Sequence, residues 1–81
     1  MKYYIMTIEQ YTAQGAEAKT EQAKVEKKNT LDSALGYFYD TLSTVAKSAA
    51  HNFLDAKITQ SDGVIIKKDV YGAYVDETPA E

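Results

Sequence analysis

The residues that could carry chemistry are few in this chain. Its 81 residues include one histidine, His51, and no cysteine. Nucleophilic catalysis needs a nucleophile held beside a base, and the hydroxyl nearest to His51 along the sequence belongs to Ser48. We predict that both residues lie where a helix gives way to a strand, and that His51 satisfies the last helix carbonyls there. We therefore expect no enzyme and no cofactor.

Metal and phosphate chemistry also lack a suitable pattern. Without cysteine there is no thiolate ligand, and the acidic residues do not follow the spacing of a calcium loop. The four glycines are separated and form neither a Walker motif nor a dinucleotide fingerprint. Asp55 and Asp69 are predicted to be neighbours on the sheet face away from the core, where Lys57 and Lys67 neutralise them. This arrangement predicts an exposed array of charges rather than an acid–base pair.

The charge balance argues against a nucleic-acid partner. Lysine supplies all nine basic residues, against twelve acidic ones, so the net charge is −3 and arginine is absent. Arginine is the residue that recognises phosphates and guanine edges through paired hydrogen bonds. Nucleic-acid-binding domains are also typically basic. The one basic cluster, Lys24, Lys27 and Lys28, is interleaved with glutamates. We therefore predict a protein partner or self-association, and no nucleic acid.

No membrane-directed segment is evident in the sequence. The longest run of aliphatic residues is Val64–Ile66, far shorter than the roughly 20 residues of a membrane span. The N-terminal residues lack the apolar stretch of a signal peptide. We expect a cytoplasmic protein that binds no membrane.

The first half of the chain predicts a strand, followed by a second element for which more than one structure fits the sequence. Residues 2–12 alternate, which predicts a strand with Tyr4, Met6 and Ile8 facing the core. A turn at Gly15 follows. Residues 16–29 are good helix formers, yet a helix there would have only Val25 to bury. We favour a polar edge strand over residues 20–28, with a helix or an irregular segment as the alternatives.

A helix beginning after Thr30 is the clearest element of the sequence. The Thr30 hydroxyl can cap it, and Asp32 places a negative charge in the first turn. Gly36 predicts close packing against a strand, and the helix is expected to end around residues 47–50. One apolar stripe of helical spacing comprises Leu31, Leu35, Phe38, Leu42, Val45 and Ala49.

The second half predicts a hairpin of residues 52–60 and 64–75. A two-residue Asp-Gly loop would place Ile58 opposite Lys67 and Leu54 opposite Tyr71. A three-residue loop, 61–63, pairs Ile58 with Ile66 and Leu54 with Val70 instead. We predict the three-residue loop because it matches apolar side chains on one face and places Gly63 at the left-handed position.

Together these elements predict an α+β fold of order ββαββ, with a single helix packed on one face of an antiparallel sheet. Residues 1–75 form one domain, and residues 76–81 form an acidic, flexible tail. The core is thin, so we expect marginal stability or dimer formation. Its predicted members are Tyr4, Met6, Ile8, Val25, Leu31, Leu35, Phe38, Leu42, Val45, Leu54, Ile58, Ile66 and Val70.

The sheet face away from the helix is the predicted contact surface. Aromatic and aliphatic side chains in these strands would form an apolar patch there, and such patches mark interaction sites. The alternative is that the second hairpin or the tail folds over this face. The candidate partner-binding residues are Tyr3, Ile5, Tyr11, Phe53, Ile65 and Tyr71.

The sequence resembles small open reading frames of phages and prophages of Gram-positive bacteria. The resemblance rests on Tyr3-Tyr4-Ile5-Met6-Thr7 at the first strand, on Thr30-Leu31-Asp32-Ser33-Ala34 at the helix start, and on Asp62-Gly63 in the closing hairpin. It implies the strand–helix–hairpin plan and the context of a phage accessory protein, and it carries over no functional residue.

These observations predict a non-enzymatic protein-binding protein that acts through its sheet face or acidic surface. Inhibition of a host protein, such as a nucleic-acid enzyme or a defence component, is one form of this function. A structural or virion-associated homo-oligomer without a ligand is the first alternative. A small enzyme is the second.

Overall fold

The computed structural model describes residues 1–76 and confirms the α+β fold of order ββαββ. All four strands pair antiparallel in one sheet, in the spatial order β2-β1-β3-β4. Of the predicted tail, residues 77–81 lie outside the described residues. The elements are β1 (Tyr3–Tyr11), β2 (Thr20–Lys28), α1 (Leu31–Lys47), β3 (His51–Gln60) and β4 (Ile65–Gly72).

Helix α1 begins and ends where its capping residues predict. The Ser33 backbone N–H donates to the Thr30 hydroxyl over 3.2 Å, which satisfies one of the free N–H groups of the first turn. At the other end, the Ser48 N–H donates to the Val45 carbonyl and Lys47 lies in the last turn. Ala49 lies beyond the helix and is exposed, so it is not part of the buried stripe.

The core lies between α1 and one face of the sheet. Phe38 is the largest fully buried side chain and packs among residues of β1 and β3. Leu35, Leu42 and Ile66 are partly buried against this cluster, whereas Leu31 is 39% exposed. The buried apolar residues are Ile5, Ala34, Phe38, Val45, Leu54, Ala56 and Ile58.

The predicted orientation of β1 is wrong. Ile5, expected on the outer face, is fully buried, and the predicted core residues Tyr4, Met6 and Ile8 lie on the opposite face. Both alternating sets of β1 side chains are apolar enough to form a core. The pairing of β1 with β3 therefore decides which set is buried. Ile5 lies directly opposite Ile58, which packs under the helix, and directly opposed residues share a face.

The same inversion moves Val25 out of the core. It lies opposite Met6 in the β1–β2 ladder and is 62% exposed. Strand β2 itself has the predicted bounds, residues 20–28. It forms the sheet edge, since β1 is its sole strand neighbour in the described chain.

The β3–β4 hairpin has the predicted loop and a different register. Gln60 donates to the Val64 carbonyl over 2.8 Å, which closes a three-residue loop, and Gly63 has a φ of +92°. Thr59 then pairs with Ile65, but a β-bulge follows, and beyond it Ile58 lies opposite Lys67. The bulge adds one residue to β4, so every later side chain changes face.

The predicted pairs Ile58–Ile66 and Leu54–Val70 are therefore wrong. Leu54 lies opposite Tyr71, and Val70 lies opposite Asp55 on the face away from the helix, where it is 50% exposed. The predicted loop was right, but the bulge shows that loop length alone does not fix register.

Helix α1 covers only part of the sheet. It lies over β3 and β1, reaches β2 less closely and contacts β4 slightly. The result is a flat molecule that measures 45 × 29 × 16 Å. In residues 1–76, α1 is the sole helix, and it is neither long nor apolar enough to cross a membrane.

Replacing each of three glycines with alanine should change the free energy of unfolding by different amounts, because their backbone conformations and surroundings differ. A Cβ at Gly36 in α1 meets nothing within 4 Å, contrary to the predicted close packing, so Gly36→Ala should raise the free energy of unfolding by about 1 kcal/mol. A Cβ at Gly63 also meets open space, but the φ of this residue is positive, which residues other than glycine adopt only at a cost. Gly63→Ala should therefore lower the free energy of unfolding by roughly 1–2 kcal/mol.

Gly72→Ala should be the most destabilising of the three. Gly72 combines a φ of +72° with a position at which a Cβ would overlap the backbone carbonyl oxygen of Asn52. Urea denaturation of the three variants beside the wild-type protein measures this order. Equal effects of Gly63→Ala and Gly72→Ala would contradict the close approach of the backbone at Asn52.

Candidate interaction surface

The sheet side that α1 leaves uncovered carries a group of exposed apolar residues. We call this side the open face. Met6 and Ile8 of β1 are 38% and 43% exposed there, beside Ala23 and Val25 of the edge strand β2. Together with Asp55 and Lys57 of β3, they border a shallow depression of about 150 Å³. We call these four apolar residues, Met6, Ile8, Ala23 and Val25, the open-face patch.

A pair of like charges borders this patch. Lys57 of β3 lies directly opposite Lys68 of β4, and like charges in directly opposed positions destabilise a sheet. Within residues 1–76, neither Lys57 nor Lys68 forms an ion pair. The open face is thus apolar at β1 and β2, and across β3 and β4 it carries two basic side chains, Lys57 and Lys68, and one acidic side chain, Asp55.

Three of the predicted partner-binding residues lie on the helix side instead. Ile5 is fully buried, and Tyr3 packs against the core. Tyr11 contacts the His51 ring, with 5.1 Å between the ring centroids. The exposure predicted for these side chains is wrong, because β1 presents its other alternating set to solvent.

The other three predicted residues lie on or near the second hairpin. Phe53 and Ile65 are on the open face, and Ile65 is 53% exposed. Tyr71 lies opposite Leu54 and so faces the helix side, yet it remains 37% exposed because α1 hardly reaches β4. Met6, Ile8 and Val25 are surface residues, although their alternation in the sequence predicted all three in the core.

The chain after β4 folds across one end of the open face. Gly72 turns the backbone, and residues 73–76 then follow the Gln10 end of β1. The Gln10 carboxamide binds Val75 as a neighbouring strand would: its Nε2 donates to the Val75 carbonyl over 2.7 Å, and its Oε1 accepts from the Val75 N–H over 2.8 Å. Gln10 is almost fully buried as a result.

Asn52 completes this attachment. It is the extra residue of a bulge between β1 and β3, and its amide donates to the Gln10 Oε1 over 2.6 Å and to the Ala73 carbonyl over 3.0 Å. Tyr74 meets Phe53 edge to face, with 5.5 Å between the centroids. The alternative raised by the sequence is thus partly right: a C-terminal segment covers Phe53 and leaves the open-face patch exposed.

A polar cluster surrounds His51 on the helix side. His51 Nδ1 lies 2.8 Å from the Ser48 hydroxyl, and its Nε2 lies 3.4 Å from a Glu9 carboxylate oxygen. Lys24 Nζ lies 3.7 Å from the other Glu9 oxygen. The predicted hydrogen bond from His51 to terminal helix carbonyls is replaced by this contact with Ser48.

The order Ser48–His51–Glu9 resembles a catalytic triad in connectivity, but the geometry favours a structural role. His51, Glu9 and Lys24 border a cavity of about 270 Å³ between α1 and the sheet, and Ser48 does not. The Ser48 oxygen also accepts from the Ala50 N–H over 3.3 Å. Ser48 therefore stabilises the turn after α1 and orients His51 toward Glu9.

The predicted pair Asp55 and Asp69 is not formed. The bulge in β4 places Asp55 opposite Val70 on the open face and Asp69 opposite Ala56 on the helix side. Lys67 also faces the helix, with its Nζ 5.3 Å from the centroid of the Tyr39 ring. A hydrogen bond with the Tyr39 hydroxyl raises the pKa of Lys67.

No match was found when the chain was compared with protein-family models, with curated proteins and with solved structures. The resemblance to phage open reading frames thus stays a prediction.

Replacing Gln10 tests the attachment of residues 73–76. Gln10→Glu removes the Nε2 donor and places a carboxylate beside the Val75 carbonyl. We expect this to lower the free energy of unfolding by about 1–3 kcal/mol, because a buried hydrogen-bonding group loses its partner. The Val75 amide should exchange its hydrogen faster as well.

Gln22→Glu is the matched control, since Gln22 lies exposed on the edge strand β2. Hydrogen exchange and urea denaturation of both variants give the comparison. The Val75 N–H keeps Oε1 as its acceptor in Gln10→Glu, so faster exchange there would report that the segment detaches as a whole. A free energy of unfolding equal to the wild-type value would contradict the attachment.

Proposed function

We propose that this chain is a non-enzymatic accessory protein that binds another protein through its open face. The observation that carries the proposal is an exposed apolar patch on the sheet face that α1 leaves uncovered. Of its members, Val25 is 62% exposed, in a chain whose folded core lies wholly on the other side. Contiguous exposed apolar surface of this kind marks contact sites.

The charges beside the patch indicate the chemistry of the partner. Lys57 and Lys68 lie directly opposite each other across β3 and β4, and within residues 1–76 neither forms an ion pair, with Asp55 as the one acidic side chain beside them on that face. Like charges in this position repel each other. Carboxylates of a partner would relieve that repulsion. The fitting partner is therefore a protein that presents an apolar side chain to Met6 and Val25, flanked by acidic residues that face the two lysines.

The resemblance to phage open reading frames supports a more specific form of this function. A phage-encoded protein of this kind would bind a host protein and inhibit it, with a nucleic-acid enzyme or a defence component as the target. A flat molecule can inhibit by covering a working surface of its target, and no catalytic step is needed.

Binding of host proteins to matched variants tests this function. Met6→Glu places a charge in the patch, and Leu31→Glu makes the same change on α1, at a side chain of similar exposure. Lys68→Glu reverses one charge of the lysine pair. Its control, Lys47→Glu, makes the same charge reversal in the last turn of α1. Each variant is immobilised, exposed to host extract and compared with the wild-type protein.

A protein retained by the wild type is then purified, and its affinity for each variant is measured by calorimetry. We expect Met6→Glu and Lys68→Glu to weaken binding about tenfold or more, as central contacts of an interface do. The two helix variants should bind like the wild type. Binding that is lost in the helix variants and kept in the patch variants would overturn the proposed surface.

A further inference from the structure

The edge strand β2 has the features of a strand that pairs with another chain. It is nine residues long, contains neither proline nor glycine, and its ladder with β1 runs without a bulge. Sheet edges are usually protected by short strands, bulges or proline. In β2 the charged side chains are therefore what discourages pairing with another chain. Their order along the strand determines which partner strand can pair without like charges in contact.

The charges along β2 are arranged so that two antiparallel copies of the strand place opposite charges against each other. If two copies pair antiparallel about a twofold axis at Lys24, Glu21 of each copy lies opposite Lys27 of the other. On the same face, Ala23 lies opposite Val25. Because the symmetry repeats each contact, this register forms two ion pairs and two apolar pairs on the open face.

Glu21 and Lys27 form no ion pair within residues 1–76, whereas Lys24 and Glu26 are paired with Glu9 and Lys28. The charges that meet across the axis are therefore those that the single chain leaves unpaired. On the helix side, Gln22 lies opposite Glu26 of the other copy and can donate to its carboxylate.

The one unfavourable contact of this register is between the two Lys24 side chains. Each is already 3.7 Å from its own Glu9, so a carboxylate accompanies both ammonium groups. Shifting the axis to Val25 would place Lys24 opposite Glu26, but both already have partners in their own chain. That register would also place Ala23 opposite Lys27 and leave Glu21 outside the paired charges. The Lys24-centred register matches all nine residues of β2 and is the better fit.

We infer that this chain forms a homodimer in which two β2 strands pair antiparallel about Lys24 and join two sheets into one. The interface uses the same surface on both copies, as twofold dimers do. It also brings the two open-face patches side by side, since Ala23 and Val25 lie at the edge. The inference concerns self-association alone and is independent of whether the open face binds another protein.

Charge reversal at the two pairing residues tests this dimer. Sedimentation velocity and native mass spectrometry at low salt should show a dimer for the wild-type protein. Glu21→Lys and Lys27→Glu each create two like-charge contacts in the homodimer. We expect each to weaken it about tenfold or more, while circular dichroism shows the fold unchanged.

Mixing the two variants gives the sharpest measurement. A heterodimer of Glu21→Lys with Lys27→Glu restores opposite charges at both contacts. At a concentration at which each variant alone is mostly monomeric, an equimolar mixture should therefore dimerise. The double variant Glu21→Lys/Lys27→Glu should also regain the dimer. Glu17→Lys makes the same charge change outside β2 and should dimerise like the wild type.

Three results would overturn the inference. A wild-type protein that stays monomeric at millimolar concentration excludes the dimer. A dimer that tolerates Glu21→Lys excludes the Lys24-centred register, because the Val25-centred register leaves Glu21 uninvolved. A mixture that remains monomeric shows that the single substitutions acted through something other than the proposed contacts. Each result is separate from the binding test, which alters Met6 and Lys68.

Discussion

One helix has to cover a sheet of four strands, and this constraint shapes the rest of the structure. Phe38 fills the space above Ile5, Leu54 and Ile58, and this packing holds α1 over the two central strands. A helix is about 10 Å across, so the outer strands receive little of its cover. Most of β2 and the second half of β4 are consequently exposed, and within residues 1–76 the opposite face is sheltered where residues 73–76 cross it.

The elements themselves follow from local sequence. Thr30 and Ser48 mark the ends of α1, and the bounds of β2 follow from its position after a turn and its alternation. The ends of α1 depend on a few neighbouring residues, so the sequence alone is enough to predict them. For β2 the sequence favoured a strand but left a helix or an irregular segment open, and the pairing with β1 decides. The buried face of β3 was equally predictable, because Leu54, Ala56 and Ile58 alternate with polar residues.

The orientation of β1 could not be predicted in the same way. Tyr4, Met6 and Ile8 are as apolar as Tyr3, Ile5 and Thr7, so alternation identifies a strand without identifying its buried side. Contacts with β3, distant in sequence, decide between them. The bulge in β4 is a second non-local feature: Gly63 sets the loop, but a residue inserted after Ile65 moves Lys67 and Tyr71 to the helix side. Both errors exchanged surface residues for core residues, which is why the candidate surface changed its members while the fold remained as predicted.

The separation of the two sheet faces also bears on how such a protein changes over time. Substitutions at Met6, Ile8 or Val25 remove few of the contacts that hold α1 to the sheet, since the fully buried apolar residues all lie on the other side. Selection is therefore able to alter the outward side chains with little loss of folding free energy. A scaffold of this kind can acquire new specificities one residue at a time, and its targets can diverge while the packing around Phe38 is preserved.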